Sequence, residues 1–381
     1  MIKSIGYRIF ALVYYICKLL PIHNKRILCI HTHDDGEGSN ATLAVKALIE
    51  QNNGYTFSYI TKKDTMEVKG FKNLPKMLSF FFQKPYLLAR AQVVLMDNTF
   101  LPFAYLKRRK GVKVIQLWHG TGTFKRFGQD ANTGRLKELE QIANRNITHL
   151  IVNSPETKKL YAQTFGINER YVYPIGLPKT DDLIRRVEAE EKSDLHPDKN
   201  SIYHRYSIPK DRKLILYAPT FRDDEPHNPE VLVKLLELIK GLPEEYYLGL
   251  RLHPFIARTC EGVKLPSRAI QLSFEPDLSA VLMASDLLIT DYSSIAFEYC
   301  ITERPMVFFA YDLEEFSDHG RGFYEDYTSY VPGPVAYTSE EVIAIIRDDR
   351  IDLRRIQNFK NRNFSYLDGN ATGRLIELIE K

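Results

Sequence analysis

The sequence contains few of the features that identify the commonest nucleotide-dependent enzymes. It has one tryptophan, and its four cysteines form no CxxC pair, which argues against a disulfide framework or a zinc site and fits a reducing cytoplasm. There is no GxGxxG fingerprint, P-loop, GxSxG or HExxH motif, and no DxD pair to hold a metal on a diphosphate. We therefore predict no cofactor and no metal site, although the metal requirement of any reaction stays open.

The chain also carries little excess charge for its length. Its 381 residues favour two domains, and its formal net charge is only +4. This near-balance predicts no general affinity for polyanions, and because no nucleic-acid motif is present we expect no nucleic-acid partner.

Long hydrophobic runs are missing from the N-terminus, which instead shows an apolar pattern with helical spacing. The apolar positions are Ile2, Ile5, Ile9, Leu12, Val13, Ile16 and Leu20, and the basic positions opposite them are Lys3, Arg8 and Lys18. The charges make a membrane span unconvincing, and no cleavage site marks a signal peptide. A helix lying on an anionic membrane fits this pattern, and the alternative is a helix packed on the protein's own core.

Basic and aromatic residues are interleaved further along the first half. Residues 69–92 mix lysine and arginine with phenylalanine and tyrosine, and a second basic cluster spans Lys107–Lys110. Basic residues beside exposed aromatics suit a phospholipid surface. The alternative is a basic face that is simply solvated.

Polar residues follow three predicted strands in the first half. The strand at residues 26–31 leads into a loop in which Gly36 and Gly38 either admit an acceptor to the backbone or only make the turn. The residues that follow the next two strands are Asp97, Asn98, Trp118, His119 and Gly120. Ligands of open α/β sheets collect at carboxyl ends of strands, so His119 is well placed for chemistry, although a histidine after a strand can also be structural.

Strand and helix patterns alternate again after residues 184–206, which we interpret as a helix and a linker. We predict two doubly wound Rossmann-like α/β domains facing a cleft. The predicted boundaries are 1–206, 207–350, and a C-terminal helical segment at 351–381 that packs back on the first domain.

The stretch around residues 283–299 is the strongest site signal in the second half. A short apolar strand at 287–289 is followed by Asp291, Ser293 and Ser294 and then by a helical pattern. A helix start after a strand favours anion binding, because backbone N–H groups and the helix dipole point at the turn. The alternative is an ordinary helix cap.

Several motifs together resemble one enzyme family. They are Gln116-Leu-Trp-His-Gly120 with Lys125 and Gly128, Tyr217-Ala-Pro-Thr-Phe-Arg222, Arg251-Leu-His-Pro254, the residues from Asp286 to Ser294, and Arg321-Gly-Phe-Tyr324. Their order resembles the CDP-glycerol glycerophosphotransferases, the wall teichoic acid primases and polymerases, from about residue 93 to residue 335. Gly122 departs from the family pattern, since many relatives carry proline at this position.

The resemblance implies a glycosyltransferase-B fold and transfer of glycerol phosphate from CDP-glycerol to a lipid-linked disaccharide or polyprenyl-diphosphate acceptor. It also implies a peripheral, monotopic enzyme on the cytoplasmic face of the cell membrane. The first predicted domain would then bind the membrane and the acceptor, and the second domain would bind CDP-glycerol. The length of the chain favours a primase.

The resemblance points to His119 and His253 as catalytic residues. His119 would be the general base, since the ordinary imidazole pKa of about 6.5 suits neutral pH. The predicted substrate-binding residues are Trp118, Gly120, Thr121, Lys179, Arg251, Leu252, Thr290, Asp291, Ser293, Ser294 and Arg321. Asp97 and Asn98 are predicted on the acceptor side.

Other functions stay open at this point. Within the family, the chain could be a glycerol-phosphate polymerase or a ribitol-phosphate transferase. A sugar-nucleotide glycosyltransferase of the same fold is a second class, and a membrane-surface scaffold with an inactive nucleotide pocket is a third.

Overall fold

The computed structural model describes residues 2–32, 38–66, 74–193, 195–220, 222, 230–252, 256–257, 264–319 and 322–381. Its residues form two compact units. Unit 1 comprises residues 1–119, 127–181 and 364–381, and unit 2 comprises residues 120–126 and 182–363.

Unit 1 contains a parallel six-stranded sheet. Its strands are β1 (Arg26–His31), β2 (Thr56–Thr61), β3 (Val93–Met96), β4 (Lys113–Gln116), β5 (His149–Val152) and β6 (Val172–Pro174), in the order β2-β1-β3-β4-β5-β6. β3 is apolar and wholly buried, as expected for a parallel strand that is covered on both faces. The winding direction changes between β1 and β3, which makes their carboxyl ends the switch point of this sheet.

The helices of unit 1 precede, separate and follow its strands along the chain. The α-helices are Ile2–Cys17, Asn40–Glu50, Lys62–Met66, Leu74–Leu78, Lys84–Arg90, Gly134–Asn144, Pro155–Phe165 and Ala371–Glu380. Shorter turns are the π-helix Ser79–Gln83 and the 3₁₀ segments Leu101–Tyr105, Gly128–Asp130 and Glu169–Tyr171. The helix Pro178–Ser193 begins in unit 1 and continues into unit 2.

Unit 2 contains a second parallel six-stranded sheet. Its strands are β7 (Lys213–Ala218), β8 (Tyr246–Leu250), β9 (Ala269–Gln271), β10 (Leu287–Thr290), β11 (Met306–Phe309) and β12 (Val335–Ala336), in the order β12-β11-β10-β7-β8-β9. The switch point lies between β7 and β10. The predicted pair of doubly wound α/β units is therefore confirmed.

The helices of unit 2 include one with a complete capping box. They are Pro197–Arg205, Glu230–Gly241, Leu278–Ala284, Ile295–Tyr299, Leu313–His319, Tyr327–Tyr330, Ser339–Arg347 and Leu353–Asn363, with a 3₁₀ turn at Cys300–Thr302. Thr338 and Glu341 form the capping box at the start of Ser339–Arg347. The Thr338 side chain accepts the backbone N–H of Glu341, and the Glu341 side chain accepts the backbone N–H of Thr338.

The two units divide the chain differently from the predicted boundaries. The main division falls between residues 181 and 182. Residues 184–206, predicted as a helix and then a linker, lie in the helix that ends at Ser193 and in a second helix, Pro197–Arg205. The C-terminal stretch is shared, because residues 351–363 belong to unit 2 and residues 364–381 to unit 1. The last helix buries Leu375, Ile376 and Ile379 in the unit 1 core, and Lys113 Nζ binds the carbonyl oxygen of Leu378 at 3.0 Å.

The N-terminal helix Ile2–Cys17 buries an aromatic face and exposes its aliphatic one. Phe10 and Tyr14 are buried, and the Phe10 ring lies 5.4 Å from that of Phe80. Leu12 and Ile16 stay 61% and 59% exposed. The predicted apolar face is therefore largely the solvent-facing one, and the helix is anchored by large aromatic residues instead. Within the described residues, no helix is both long and apolar enough to cross a membrane.

Candidate active site

His119 lies at the carboxyl edge of the unit 1 sheet, where a backbone oxygen orients its ring. Its Nδ1 is 3.0 Å from the carbonyl oxygen of Asp97, which follows β3. A carbonyl oxygen only accepts hydrogen bonds, so Nδ1 carries the proton and donates it. In the neutral imidazole, Nε2 is then the proton-accepting nitrogen, which is the state that a general base requires.

Trp118 adopts a strained backbone conformation beside His119. Its φ is 54°, in the left-handed region that a bulky residue rarely adopts. The indole lies against the imidazole of His119, with ring centroids 4.0 Å apart, and stacks on Phe127 at 5.2 Å. The backbone N–H of Trp118 donates to Oε1 of the buried Gln116 at 2.9 Å. These neighbours hold the strained residue so that its ring covers one face of the imidazole.

The two predicted acceptor-side residues lie at the switch point of unit 1. The buried Asp97 accepts the N–H of Thr32 on Oδ1 at 3.0 Å, which ties the end of β1 to the end of β3. Asn98 accepts the N–H of Thr99 on its Oδ1 at 2.8 Å, and its carbonyl oxygen accepts from Gln116 Nε2 at 3.1 Å. Their contacts shape the strand ends, and their role toward an acceptor stays a prediction.

Lys179 contacts the backbone of His119 from the start of the helix Pro178–Ser193. Its Nζ donates to the His119 carbonyl oxygen at 3.1 Å, and its N–H donates to Asn40 Oδ1 at 3.1 Å. The buried Asn40 also donates from Nδ2 to the Trp118 carbonyl oxygen at 3.2 Å. Our sequence analysis missed Asn40, although a polar residue directly after the N-cap Ser39 was a signal for it.

Thr290 and Asp291 lie at the carboxyl end of β10, at the switch point of unit 2. Both are buried, and the Thr290 hydroxyl donates to the carbonyl oxygen of Ala218 in β7 at 2.7 Å. Asp291 accepts the N–H of Thr220 on Oδ1 at 2.8 Å, and its Oδ2 lies 2.9 Å from Arg222 Nη1. These side chains therefore tie β10 to the segment after β7.

Arg222 is a buried charged residue that contacts Asp291, and our sequence analysis gave it no role. Its guanidinium makes a two-point ion pair with Asp312, with Nε 2.6 Å and Nη2 2.8 Å from the carboxylate. Burial by itself would lower the pKa of Arg222, but the charges of Asp291 and Asp312 outweigh it and raise that pKa. The residue is thus held as a permanent buried cation.

Ser293 and Ser294 are half-buried and directly precede the short helix Ile295–Tyr299. Ser294 occupies the N-cap position without a side-chain cap bond, and the Ser293 oxygen accepts the N–H of Ile295 at 3.4 Å. The long distance indicates a weak cap. The arrangement is consistent with hydroxyls that serve a ligand, and that role stays a prediction.

Arg251 and Leu252 follow β8 at the same edge of the unit 2 sheet. Arg251 Nη1 donates to the carbonyl oxygens of Leu272 and Glu275 at 2.9 and 3.1 Å, so part of its guanidinium supports the chain after β9. The N–H of the buried Leu252 donates to Ser273 Oγ at 2.7 Å. His253 and Arg321, which were also predicted as site residues, lie outside the described residues.

Gly120 and Thr121 belong to a segment of seven residues, 120–126, that is part of unit 2. The buried Thr121 hydroxyl donates to Glu298 Oε1 at 2.6 Å. Phe124 packs against the rings of Phe297 and Tyr327, with centroids 4.8 and 6.1 Å away. The segment after His119 is therefore fixed by a buried hydrogen bond and by aromatic packing.

Metal ligands are not clustered in the described ranges. No group of three or more His, Cys, Asp or Glu side chains is arranged there to hold an ion.

Comparison of the sequence with known proteins identifies the family of the chain. The sequence model of the CDP-glycerol:poly(glycerophosphate) glycerophosphotransferases matches residues 12–381. The chain belongs to this family. The match confirms the resemblance seen in the motifs, and it extends beyond residues 93–335 into the weakly patterned N-terminal part.

Two bacterial relatives show how much of the chain is shared. It is 30% identical over 390 residues to the teichoic acid poly(ribitol-phosphate) polymerase of Bacillus spizizenii. This alignment covers 99% of this chain and 60% of that protein. It is 32% identical over 352 residues to the teichoic acid glycerol-phosphate primase of Bacillus subtilis, which covers 88% of each. The chain thus spans less than two thirds of the first of these relatives.

Solved structures show the same architecture. The wall teichoic acid polymerase TagF superposes with a TM-score of 0.80 at 25% identity, over 100% of this chain and 95% of that chain. The UDP-GlcNAc 2-epimerase of Neisseria meningitidis superposes with a TM-score of 0.60 at 11% identity, over 93% of this chain and 100% of that one. The second likeness concerns the fold alone. Both confirm two Rossmann-like units of the glycosyltransferase-B type.

Proposed function

We propose that this family member transfers glycerol phosphate from CDP-glycerol to a lipid-linked saccharide in teichoic acid synthesis, and that it acts as a primase. The observation that carries the proposal is the family match over residues 12–381. The match to the glycerol-phosphate primase of Bacillus subtilis, which covers 88% of both chains, favours the primase role. A TagF variant has been soaked with CDPG, which is consistent with a CDP-linked donor for the family.

The proposed step is a direct displacement at phosphorus. An acceptor hydroxyl attacks the β-phosphorus of CDP-glycerol, the new O–P bond forms, the bond to the bridging diphosphate oxygen breaks, and CMP leaves with that oxygen. The hydroxyl proton passes to Nε2 of His119, the nitrogen that its bond to the Asp97 carbonyl leaves as the acceptor. Such reactions depend on positioning and charge stabilisation more than on covalent catalysis.

The donor diphosphate is proposed to bind at the strand ends of unit 2. Ser293 and Ser294 supply hydroxyls, and the Arg251 guanidinium supplies positive charge. His253 is in the same motif as Arg251 and is proposed to contact the diphosphate as well. Lys179 is the proposed cation of unit 1.

The discriminating experiment offers the purified protein CDP-glycerol, CDP-ribitol or a UDP-sugar as donor, each with a lipid-linked disaccharide as acceptor. CDP-glycerol should be used, CMP should be released, and mass spectrometry should show one added glycerol phosphate. A ladder of products would make the protein a polymerase. His119→Asn, purified in the same way, is the matched control. Product formed equally by wild type and variant would come from a contaminating enzyme.

A ribitol-phosphate transferase is the second candidate, because the first relative described above is a poly(ribitol-phosphate) polymerase that matches 99% of this chain. Use of CDP-ribitol in preference to CDP-glycerol would select this function. Transfer from a UDP-sugar would replace the reaction class altogether, and inactivity with all donors would favour a scaffold.

Membrane docking is proposed for the N-terminal helix. Its exposed side carries Ile9, Leu12 and Ile16. The hydroxyl of Tyr15, which is also exposed, accepts the backbone N–H of Lys107 at 3.0 Å, so the basic cluster Lys107–Lys110 begins next to this side. An aliphatic stripe beside a basic cluster suits an anionic lipid surface. We therefore propose peripheral attachment at the cytoplasmic face of the cell membrane.

Vesicle sedimentation tests this docking with a matched control. Changing Ile9 and Leu12 to Asp should move the protein from phosphatidylglycerol-rich vesicles to the supernatant, because buried apolar area drives interfacial binding. Changing Val233 and Leu236 to Asp, which are exposed aliphatic residues on the helix Glu230–Gly241, should leave sedimentation unchanged. Equal sedimentation of both folded variants would refute the docking surface.

A further inference from the structure

Arg222 connects three strand ends of unit 2. It follows β7, its Nη1 donates to the Thr220 carbonyl oxygen at 2.7 Å, and the same nitrogen lies 2.9 Å from Asp291, which follows β10. Its Nε and Nη2 bind Asp312, which follows β11. A single guanidinium therefore joins the segments that leave three neighbouring strands at the switch point.

The same cluster holds the residue between Asp291 and the two serines. The Tyr292 hydroxyl donates to Asp312 Oδ1 at 2.9 Å, and the Tyr327 hydroxyl donates to the Asp291 carbonyl oxygen at 3.1 Å. The Tyr292 ring stacks on Phe316 at 4.1 Å. Asp291 is thus fixed by its side chain and its backbone, and Tyr292 by its hydroxyl and its ring.

Arg222 itself is poorly placed to bind a ligand. It is only 8% exposed, and its carbon Cζ lies 5.0–5.6 Å from the rings of Tyr292, Tyr311 and Phe316. Each of its three nitrogens already donates a hydrogen bond to the protein, Nε and Nη2 to Asp312 and Nη1 to the Thr220 carbonyl oxygen. Its position indicates that it acts on a ligand through other residues.

We propose that Arg222, with Asp312 and Tyr292, positions the turn at residues 291–294 so that Ser293 and Ser294 face the donor diphosphate. This inference rests on the proposed function for the identity of the donor. Arg222 is a positioning residue, and its fork-shaped guanidinium is required because lysine, with a single point charge, cannot span Asp291 and Asp312 together.

Hydrogen–deuterium exchange tests the positioning without a ligand. Arg222→Lys should raise exchange in peptides that cover residues 287–297. The matched control is Arg186→Lys, because Arg186 also pairs with several carboxylates of unit 2, namely Asp182, Asp198 and Asp277. Both variants should melt at a lower temperature, but only Arg222→Lys should loosen the turn.

Kinetics with CDP-glycerol provides the functional readout. A displacement of about 1 Å costs roughly 10²-fold in rate, so kcat/KM for the donor should fall on this order in Arg222→Lys and remain near wild type in Arg186→Lys. Tyr292→Phe removes only the hydroxyl that binds Asp312, and it should cost roughly fivefold. This milder variant decides the question if Arg222→Lys does not fold.

The outcomes separate this inference from the proposed function. Unchanged exchange and unchanged kcat/KM in folded Arg222→Lys would overturn the positioning role. If wild-type protein does not turn over CDP-glycerol, the proposed function fails, and exchange in the turn still decides whether Arg222 holds it.

Discussion

A side chain at Gly122 should destabilise the protein, because the ring of Phe297 occupies the space that a Cβ would need. An ideal Cβ at this glycine would lie 2.1 Å from Cδ1 and 2.4 Å from Cε1 of Phe297. Carbon atoms in contact prefer about 3.5–4.0 Å, so the ring or the segment would have to move by more than an ångström. Phe297 is 1% exposed and packs against the rings of Phe124 and Phe359, with centroids 4.8 and 4.9 Å away, so moving its ring would disturb both contacts.

The expected cost of Gly122→Ala is that of overpacking a core, about 1–3 kcal/mol. For a unit of this size, each kcal/mol lowers the melting temperature by about 2–4 °C. Calorimetry of the variant should show this loss in one transition. Gly38→Ala is the matched control, since a Cβ there would meet nothing within 4 Å, and it should change stability by less than about 0.5 kcal/mol.

A double-mutant cycle identifies the clash as the cause. Phe297→Leu opens space beside residue 122 and is itself destabilising, because it leaves a partial cavity. Combined with Gly122→Ala, the total loss should be smaller than the sum of the single losses by about 0.5–3 kcal/mol. Strictly additive losses, or a wild-type melting temperature for Gly122→Ala, would refute this reasoning.

Three other residues or pairs give testable expectations. His119→Asn should retain donor binding by calorimetry while turnover falls by about 10²–10⁴-fold and the acidic limb of the pH–rate profile disappears; a loss of binding instead would make the residue structural. Changing Ser293 and Ser294 together to Ala should weaken CDP-glycerol binding by tenfold or more, since bonds to charged groups are worth about 1.5–3 kcal/mol; wild-type affinity would contradict the assignment. Asp181→Ala should cost about 0.5–2 kcal/mol in unfolding experiments, because its carboxylate accepts the N–H groups of Ala371 and Thr372 at 2.9 and 2.7 Å; an unchanged melting temperature would exclude this cap.

Sequence reasoning was most reliable where a residue follows an apolar strand. Asp97, His119 and Asp291 were all selected on that basis, and each lies at the carboxyl edge of its sheet. Arg222 shows the limit of the method. Its motif carried the family resemblance, but its importance depends on carboxylates that lie about 70 and 90 residues further along the chain.

The N-terminal helix shows a second limit. Periodicity identified the helix and its aliphatic stripe, but it could not determine which face is buried. Phe10 and Tyr14 provide the anchor because Phe80 and Lys107 are positioned to receive them, from segments distant in sequence. The aliphatic stripe is exposed as a result of that packing.

The sequence by itself determined the buried parallel strands, the alternation of strands and helices, the polar strand ends and the family. These properties depend on local apolar periodicity and on short motifs, which neighbouring residues encode. Only the tertiary structure decided the boundary at residue 181, the assignment of residues 120–126 to unit 2 and of 364–381 to unit 1, and the connections made by Arg222. These depend on contacts between residues far apart in the chain, whose formation is governed by packing and by the pairing of buried charges rather than by any local pattern.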